Sequence, residues 1–160
     1  MNVRDAQKSE TERLGTIWHD GWHDAHAAIM PAELTRMRTR ASFVERLYTL
    51  LPHTRVAELD GDVVGFAIVK GDELYQLYVE PQGRGRGVAA ALIADAERRI
   101  AAAGADIAWL ACAIGNDRAA RFYEKSGWRR AGVVPYEAET ENGIFPLEVW
   151  RYEKVVHAAA

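Results

Sequence analysis

The strongest constraint in this sequence is a strand-like segment that runs into a glycine-rich turn and then into an alanine-rich helix. The strand pattern ends at Leu77-Tyr78-Val79, the turn is Gln82-Gly83-Arg84-Gly85-Arg86-Gly87, and the helix begins at Val88. Glycine accepts positive φ and lets a ligand approach the backbone closely. Free amides and the helix dipole favour an anion at the start of the helix. The turn therefore predicts a site for a phosphorylated cofactor.

Three kinds of nucleotide-binding turn place glycines in this way. The P-loop requires a lysine after its glycines, and none follows here. The dinucleotide fingerprint is matched in part by Gly85-x-Gly87-x-x-Ala90, but it also requires an acidic residue at the end of the next strand. Asp106 precedes that strand instead of closing it. The third pattern, [Gln/Arg]-x-x-Gly-x-[Gly/Ala], is matched by residues 82–87 without a gap. Here the chain resembles the GNAT superfamily of acyl-coenzyme A dependent acyltransferases.

A second segment, about thirty residues downstream, favours the acyltransferase pattern over the dinucleotide pattern. A strand-like run leads into Asn116, and the helix that follows carries Tyr123 and ends at Gly127. Asn116 or Asp117 suits the helix cap, and glycine suits the position after the last turn. Asn116 and Tyr123 lie about two helical turns apart and face the same side of the helix. This arrangement resembles the second GNAT signature.

The resemblance implies an α+β fold in which a mixed, largely antiparallel sheet of about six to seven strands is flanked by about four helices. The sequence pattern agrees with it. A capping box at Ser9 and Glu12 starts one helix, and a second runs from Pro31 to just before Pro52. Strand-like runs follow at 55–59, 63–70 and 73–79, joined by hairpin turns. Antiparallel hairpins count against an all-parallel dinucleotide-binding sheet.

The second half of the chain predicts alternating helices and strands that complete one domain. The expected elements are a helix at 88–103, a strand at 107–113, a helix at 118–126, strands near 129–134 and 147–153, and a long loop at 136–143. We therefore expect a single GNAT domain over residues 1–155 and a frayed tail over residues 156–160.

Composition argues against several classes of function. A formal net charge of -3, without a dense cluster of Lys and Arg, argues against a nucleic-acid partner. No apolar run reaches the ~18 residues of a membrane span, and the first residues lack a signal-peptide core, so no membrane partner is expected. The single cysteine, Cys112, forms no internal disulfide and fits a reducing compartment. The expected location is the cytoplasm.

The GNAT resemblance implies acetyl-coenzyme A as the donor and assigns residues to it. Backbone groups of Leu77, Tyr78 and Val79 are expected to pair with the pantetheine arm. Amides of the turn are expected to hold the pyrophosphate, and the residues concerned are Gln82, Gly83, Arg84, Gly85, Arg86, Gly87 and Val88. Arg84 and Arg86 either reach the phosphates or belong to a solvated face. Asn116 bonds the pantetheine, caps its helix, or does both.

The same resemblance implies two catalytic residues. Tyr123 matches the family tyrosine that donates a proton to the departing thiolate, and a phenol with a pKa near 10 suits a thiol of pKa near 8.5 to 9. Some members carry a glutamate base five residues before the Asn116 position, but Ala111 stands there. Others place it on the strand before the glycine turn, where Glu73 lies. By strand alternation Glu73 shares a face with Tyr75, Leu77 and Val79. Glu73 is thus the predicted base, acting through a water, or else an exposed turn carboxylate.

The acceptor pocket is the least constrained part of the sequence. The first helices supply Trp18, Trp22 and His23, and we expect these to contact the acceptor together with Tyr75. His19, His23 and His26 have the spacing of one helix face, but no carboxylate or cysteine completes a zinc site, so no metal is predicted. The aromatic helices and the expected 136–143 loop favour a small-molecule amine slightly.

The predicted activity is N-acetylation of a primary amine by direct attack on acetyl-coenzyme A in a ternary complex. Two alternatives stay open. One is an acetyltransferase that modifies a protein N-terminus or lysine. The other is a non-catalytic acyl-coenzyme A binding or sensor module with the same fold. The family resemblance also favours a homodimer.

Overall fold

The computed structural model describes residues 1–157, and these form seven strands and five helices. The strands are β1 (Asn2–Asp5), β2 (Thr54–Leu59), β3 (Asp62–Lys70), β4 (Glu73–Val79), β5 (Ile107–Ala113), β6 (Arg129–Thr140) and β7 (Gly143–Val155). The helices are α1 (Thr11–His26), α2 (Ala32–Met37), α3 (Arg40–Leu50), α4 (Val88–Ala102) and α5 (Asp117–Lys125). Within this described part, no helix is both long and apolar enough to span a bilayer.

All seven strands belong to one sheet in the order β1-β2-β3-β4-β5-β7-β6. Every neighbouring pair is antiparallel except β4 and β5, which run parallel. A parallel pair needs a crossover connection, and α4 supplies it. The predicted α+β fold with a mixed, largely antiparallel sheet is confirmed, with one helix more than expected.

Helices cover both faces of the sheet and bury two clusters of apolar side chains. On one face α4 packs Leu92, Ala96 and Ile100 against the sheet, each fully buried. On the other face α1 and α3 contribute a second cluster that includes Leu14, Trp18, Phe43 and Phe66. The sheet therefore separates a face covered by α4 from a face covered by α1 and α3.

At the start of the chain one element was missed and two local predictions are wrong. The N-terminal strand β1 was not expected, and it pairs with β2 at the sheet edge. The predicted capping box at Ser9 and Glu12 is replaced by one in which the Glu10 carboxylate accepts from the Gln7 amide at 2.8 Å. The predicted second helix is divided into α2 and α3. The Thr39 side chain accepts a hydrogen bond from the Ser42 amide and caps the start of α3.

The C-terminal strands are longer than the sequence indicated. The predicted 136–143 loop is the end of a hairpin, because β6 continues to Thr140 and pairs with β7 from Gly143. Burial alternates along β6, but the polar run Glu-Thr-Glu-Asn-Gly at residues 139–143 has the composition of a turn, so the end of the strand was missed. The Val156 amide still donates to the Asp106 carbonyl at 2.9 Å, and residues 158–160 of the predicted tail lie outside the described part.

Candidate active site

The two parallel strands β4 and β5 touch at one end only. Their single register pair joins Glu73 to Trp109, and the Trp109 amide donates to the Asp72 carbonyl at 3.1 Å. Beyond this pair the described strands share no ladder contact, so the edge of β4 that faces β5 is open as far as Val79. The sheet therefore contains a wedge-shaped gap at its centre.

A cavity of about 140 Å³ lies at this gap and extends under α1 and α2. One end is lined by β5 and α5, and the other by the helices α1, α2 and α3 and by the β6–β7 hairpin. The predicted site residues among its walls are Trp22, Tyr75, Leu77, Tyr78, Asn116 and Tyr123. The structure thus brings six residues together that lie on three separate stretches of sequence.

Tyr123 lines the β5–α5 end of the cavity. Within residues 1–157 its hydroxyl has no hydrogen-bond partner. Burial raises the pKa of this phenol above its usual value, and the nearby Cys112 and Tyr78 act in the same direction. The hydroxyl is therefore protonated at neutral pH and free to donate.

Asn116 and Cys112 complete that end of the cavity. The Asn116 side chain accepts from the Ala119 amide at 3.3 Å and caps α5, which leaves its amide nitrogen free to donate. Cys112 is 4% exposed, and burial raises the pKa of its thiol to about 12. A thiol of that pKa is a poor nucleophile at neutral pH.

The glycine-rich turn lies where β4 leads away from the cavity. Gly85 and Gly87 have φ of 73° and 80°, and Gly87 is the residue before α4. The amides of residues 85–87 have no acceptor within the described chain, and no side chain caps α4. This row of free donors at a helix N-terminus fits a pyrophosphate group.

The other predicted residues of the turn have identifiable contacts. The Gln82 amide group donates to the Glu80 carboxylate, and Gly83 is buried against Val64 and Val79. Val88, 1% exposed, anchors the first turn of α4. Arg84 pairs with Asp24 at 3.6 Å and Arg86 with Asp60 at 3.2 Å. Such exposed ion pairs are weak, so both arginines can exchange them for phosphate.

A β-bulge at Tyr75 interrupts the alternation of β4. Gln76 pairs with Ile68 and Leu74 with Val69, so Tyr75 is the extra residue. The predicted common face of Glu73, Tyr75, Leu77 and Val79 is therefore wrong. Tyr75 packs on the α1–α3 side, whereas Leu77 and Val79 pack on the α4 side. A bulge re-aims side chains and leaves backbone groups without ladder partners, as at many active sites.

Glu73 lies beside the cavity, next to one of its wall residues. The Tyr136 hydroxyl donates to the Glu73 carboxylate at 3.5 Å, and Tyr136 itself lines the cavity. Burial raises the pKa of Glu73 to about 7, while Lys70 and Tyr136 oppose this rise. A carboxylate that titrates near neutral pH is suited to accept a proton.

The helices place the predicted acceptor residues unequally. Trp22 lines the cavity, whereas Trp18 is fully buried beneath it against Phe43 and Phe66. The His23 ring bonds the Arg38 carbonyl at 2.6 Å and is not part of the cavity wall. His26 does line the cavity, and burial lowers its pKa to about 4. A neutral His26 therefore faces the cavity.

Sequence reasoning missed two arginines and one tyrosine in the cavity wall. Arg38, Arg46 and Tyr136 all line the cavity, on the side of the helices and the β6–β7 hairpin. Arginine is seldom buried, so neither residue carried a signal of its own. Within residues 1–157, no group of His, Cys, Asp and Glu has the arrangement of a metal site.

Comparisons with known proteins agree on one family. The family model described as "Acetyltransferase (GNAT) family" matches residues 12–128. A relative named as an uncharacterized N-acetyltransferase from Mycobacterium tuberculosis is 38% identical over 98 residues, which cover 58% of this chain and 63% of the relative. The same figures hold for the Mycobacterium bovis protein of that name. The chain thus matches less than two thirds of the length of these relatives.

Solved structures give the same answer for the fold. A GCN5-related N-acetyltransferase from Rhodopseudomonas palustris superposes with a TM-score of 0.74, at 26% identity over 96% of this chain and 94% of that one. The PaiA N-acetyltransferase from Thermoplasma acidophilum, solved with coenzyme A, gives 0.72 at 19% identity over 96% and 98% of the two chains. With the family model matching most of its length, this chain belongs to the GNAT acetyltransferase family.

Proposed function

We propose that this protein transfers an acetyl group from acetyl-coenzyme A to the primary amine of a small molecule, by direct attack in a ternary complex. The observation that carries the proposal is the gap between β4 and β5, because a donor arm can pair with β4 there and meet Tyr123. The free hydroxyl of Tyr123 lines the same cavity that reaches the acceptor end.

The residues present fit coenzyme A from the end of β4 to the start of α4. The open strand edge at residues 77–79 offers backbone groups to an extended arm, as in β-strand addition. The unpaired amides of residues 85–87 suit the pyrophosphate, and Asn116 can donate to the arm from the opposite side. The thioester of the bound donor supplies an already activated acetyl group. PaiA, which shares the fold, was solved with coenzyme A.

Direct transfer is favoured over a covalent acetyl-enzyme. Cys112 is the one nucleophilic thiol of the chain, and it lines the cavity. Its raised pKa of about 12 keeps it protonated at neutral pH. The protein therefore contributes by positioning the amine, which can lower the barrier by about 7 to 11 kcal/mol, and by moving two protons.

Each proton has a candidate residue. Glu73, with its pKa near 7, accepts the proton that the attacking amine must lose, through a water or through Tyr136. Tyr123 donates to the thiolate as the acetyl group leaves. These roles place acid and base on different elements, α5 and β4, with the cavity between them.

The cavity favours a small acceptor over a protein segment. Its volume of about 140 Å³ is close to that of cavities that take one benzene-sized molecule. Helices α1 and α2 and the β6–β7 hairpin enclose its acceptor end. A homodimer and a cytoplasmic location stay predictions from the sequence.

A screen for coenzyme A release tests the proposal. The purified protein is mixed with acetyl-coenzyme A and single members of a panel of amines, amino acids, aminoglycosides and lysine-bearing or free N-terminal peptides, and the free thiol is measured. We expect release with at least one small amine, and acetylation of that amine by mass spectrometry. Release with peptides alone would favour the protein acetyltransferase. Binding without any release would favour the sensor module.

A further inference from the structure

Two arginines line the acceptor end of the cavity, one buried and one half-buried. Arg38 is 5% exposed, and its Nη1 donates to the Glu139 carbonyl at 2.5 Å. Arg46 donates from Nη2 to the Tyr75 hydroxyl at 2.6 Å, and its guanidinium lies 4.4 Å from the centre of the Trp18 ring. Backbone, tyrosine and tryptophan groups thus hold both guanidinium groups in place.

Neither arginine forms a salt bridge within residues 1–157. The Nε atoms of Arg38 and Arg46 are buried and have no hydrogen-bond partner in this part of the chain. Elsewhere the protein pairs such groups, since Arg55 meets the buried Asp95 at 3.0 Å and Arg4 meets Glu10 at 2.7 Å. A buried charge without a counterion is costly. The cavity therefore has unused capacity for an anion.

The nearest acidic groups do not neutralise these arginines. Glu139 turns its carboxylate outward to Lys70 at 3.3 Å, and only its backbone carbonyl meets Arg38. Glu73 bonds Tyr136, and its raised pKa leaves it only partly ionised at neutral pH. Burial and the charge of Arg46 lower the pKa of Arg38 to about 10, so it is still cationic.

We propose that Arg38 and Arg46 bind a carboxylate of the acceptor, so that the acceptor is a small amino-acid-like molecule that carries both an amine and an acidic group. This inference rests on the proposed function, because it assigns the acceptor of that same cavity. Two guanidinium groups can hold a carboxylate through several charge-assisted hydrogen bonds.

The charge of the cavity also excludes a class of acceptors. An amine arrives mostly protonated, and two uncompensated guanidinium groups repel it. A carboxylate on the same molecule removes that repulsion and turns the amine away from the arginines. Tyr78 lines the same cavity as both arginines and Cys112. Polyamines and aminoglycosides lack the acidic group.

Matched acceptor pairs test this inference. Coenzyme A release is measured with L-methionine and L-phenylalanine, and with the α-carboxamide of each. We expect kcat/KM to be at least ~30-fold higher for the carboxylate member, the range for a buried charge pair that loses one partner. Equal rates within a pair, or release with uncharged amines and amides alone, would overturn the inference while leaving the acetyltransferase proposal intact.

Variants separate binding from a merely structural role. Arg46→Met should lower kcat/KM for the carboxylate at least ~30-fold and for the amide by much less, so the ratio within a pair collapses. Arg46→Lys keeps the charge and should restore part of the ratio. Arg36→Met, on the exposed face of α2, is the matched control and should leave the ratio unchanged. An unchanged ratio in both Arg46 variants would contradict the proposal.

A binding experiment tests the same inference without acetyl transfer. N-acetyl-L-methionine and its amide are titrated into the protein saturated with coenzyme A, and into Arg46→Met. We expect the acid to bind at least ~10-fold more tightly to the wild type, and this preference to be lost in the variant. Failure of the protein to bind coenzyme A would contradict the proposed function, whereas equal affinity for the acid and the amide would contradict this inference alone.

Discussion

Tyr123→Phe is expected to lower kcat by about 10²- to 10⁴-fold, the usual contribution of one proton-transfer group. The variant removes one hydroxyl from a ring that lines the cavity at the junction of β5 and α5. That hydroxyl has no partner within residues 1–157, so its loss leaves no protein group unsatisfied. The affinity for acetyl-coenzyme A and the thermal midpoint should therefore change little. Single-turnover kinetics measures the transfer rate, calorimetric titration measures the donor affinity, and thermal unfolding measures the midpoint.

Tyr48→Phe provides the control for this variant. Tyr48 is 53% exposed on α3 and does not line the cavity. Its substitution should change neither kcat nor donor affinity. If Tyr123→Phe kept the wild-type turnover, or lost donor binding to the same extent as turnover, Tyr123 would not be the acid.

Glu73→Gln is expected to lower kcat/KM by about 10²- to 10⁴-fold at pH 8 and to change its pH dependence. A base must be ionised to act, and burial raises the pKa of Glu73 to about 7. In the wild type kcat/KM should rise as pH increases through about 7. The variant should lose this rise in kcat/KM and keep only the rise caused by deprotonation of the acceptor amine. A pH series of initial rates measures both.

The same substitution should not destabilise the fold. The pKa of Glu73 rises from 4.5 to about 7 on folding, so the unfolded chain releases this proton at lower pH than the folded chain. The contribution of Glu73 to stability therefore falls as pH rises through this window. Glu73→Gln removes the buried charge, so its thermal midpoint at pH 8 should equal or exceed that of the wild type.

Glu141→Gln is the matched control, because Glu141 is an exposed carboxylate in the β6–β7 turn. It should keep the wild-type rate and pH profile. If Glu73→Gln kept the rise in kcat/KM near pH 7, Glu73 would not be the base. A large loss of thermal stability at pH 8 would contradict the expectation that the buried, ionised carboxylate is unfavourable.

The sequence marks the candidate donor half of the site because local rules control its backbone geometry. The glycine turn needs positive φ at Gly85 and Gly87, and the helix start supplies free amides, so both features appear as a short continuous pattern. Asn116 and Tyr123 share one helix, and helical spacing alone brings them to the same side.

The candidate acceptor half was only partly predictable, because it depends on packing between distant elements. The bulge at Tyr75 breaks the strand alternation, and nothing in the β4 sequence marks it. Thr39 interrupts the expected second helix, which lets the chain at Arg38 turn inward. Arg46 lies on α3, where an arginine is expected on the exposed face. Its contacts with the Trp18 ring and the Tyr75 hydroxyl instead place its guanidinium group at the cavity. The bulge, the helix break and the position of Arg46 all depend on tertiary contacts.

Calorimetric titration with acetyl-coenzyme A is the decisive experiment, because every proposed role depends on that donor. We predict saturable binding with one donor per chain, undiminished by excess NAD or ATP and weakened when alanine replaces Gly87. Steric strain at a φ of 80° and loss of close approach to the backbone explain that weakening. Tight binding of NAD in competition with acetyl-coenzyme A, or no acetyl-coenzyme A binding at all, would contradict the account.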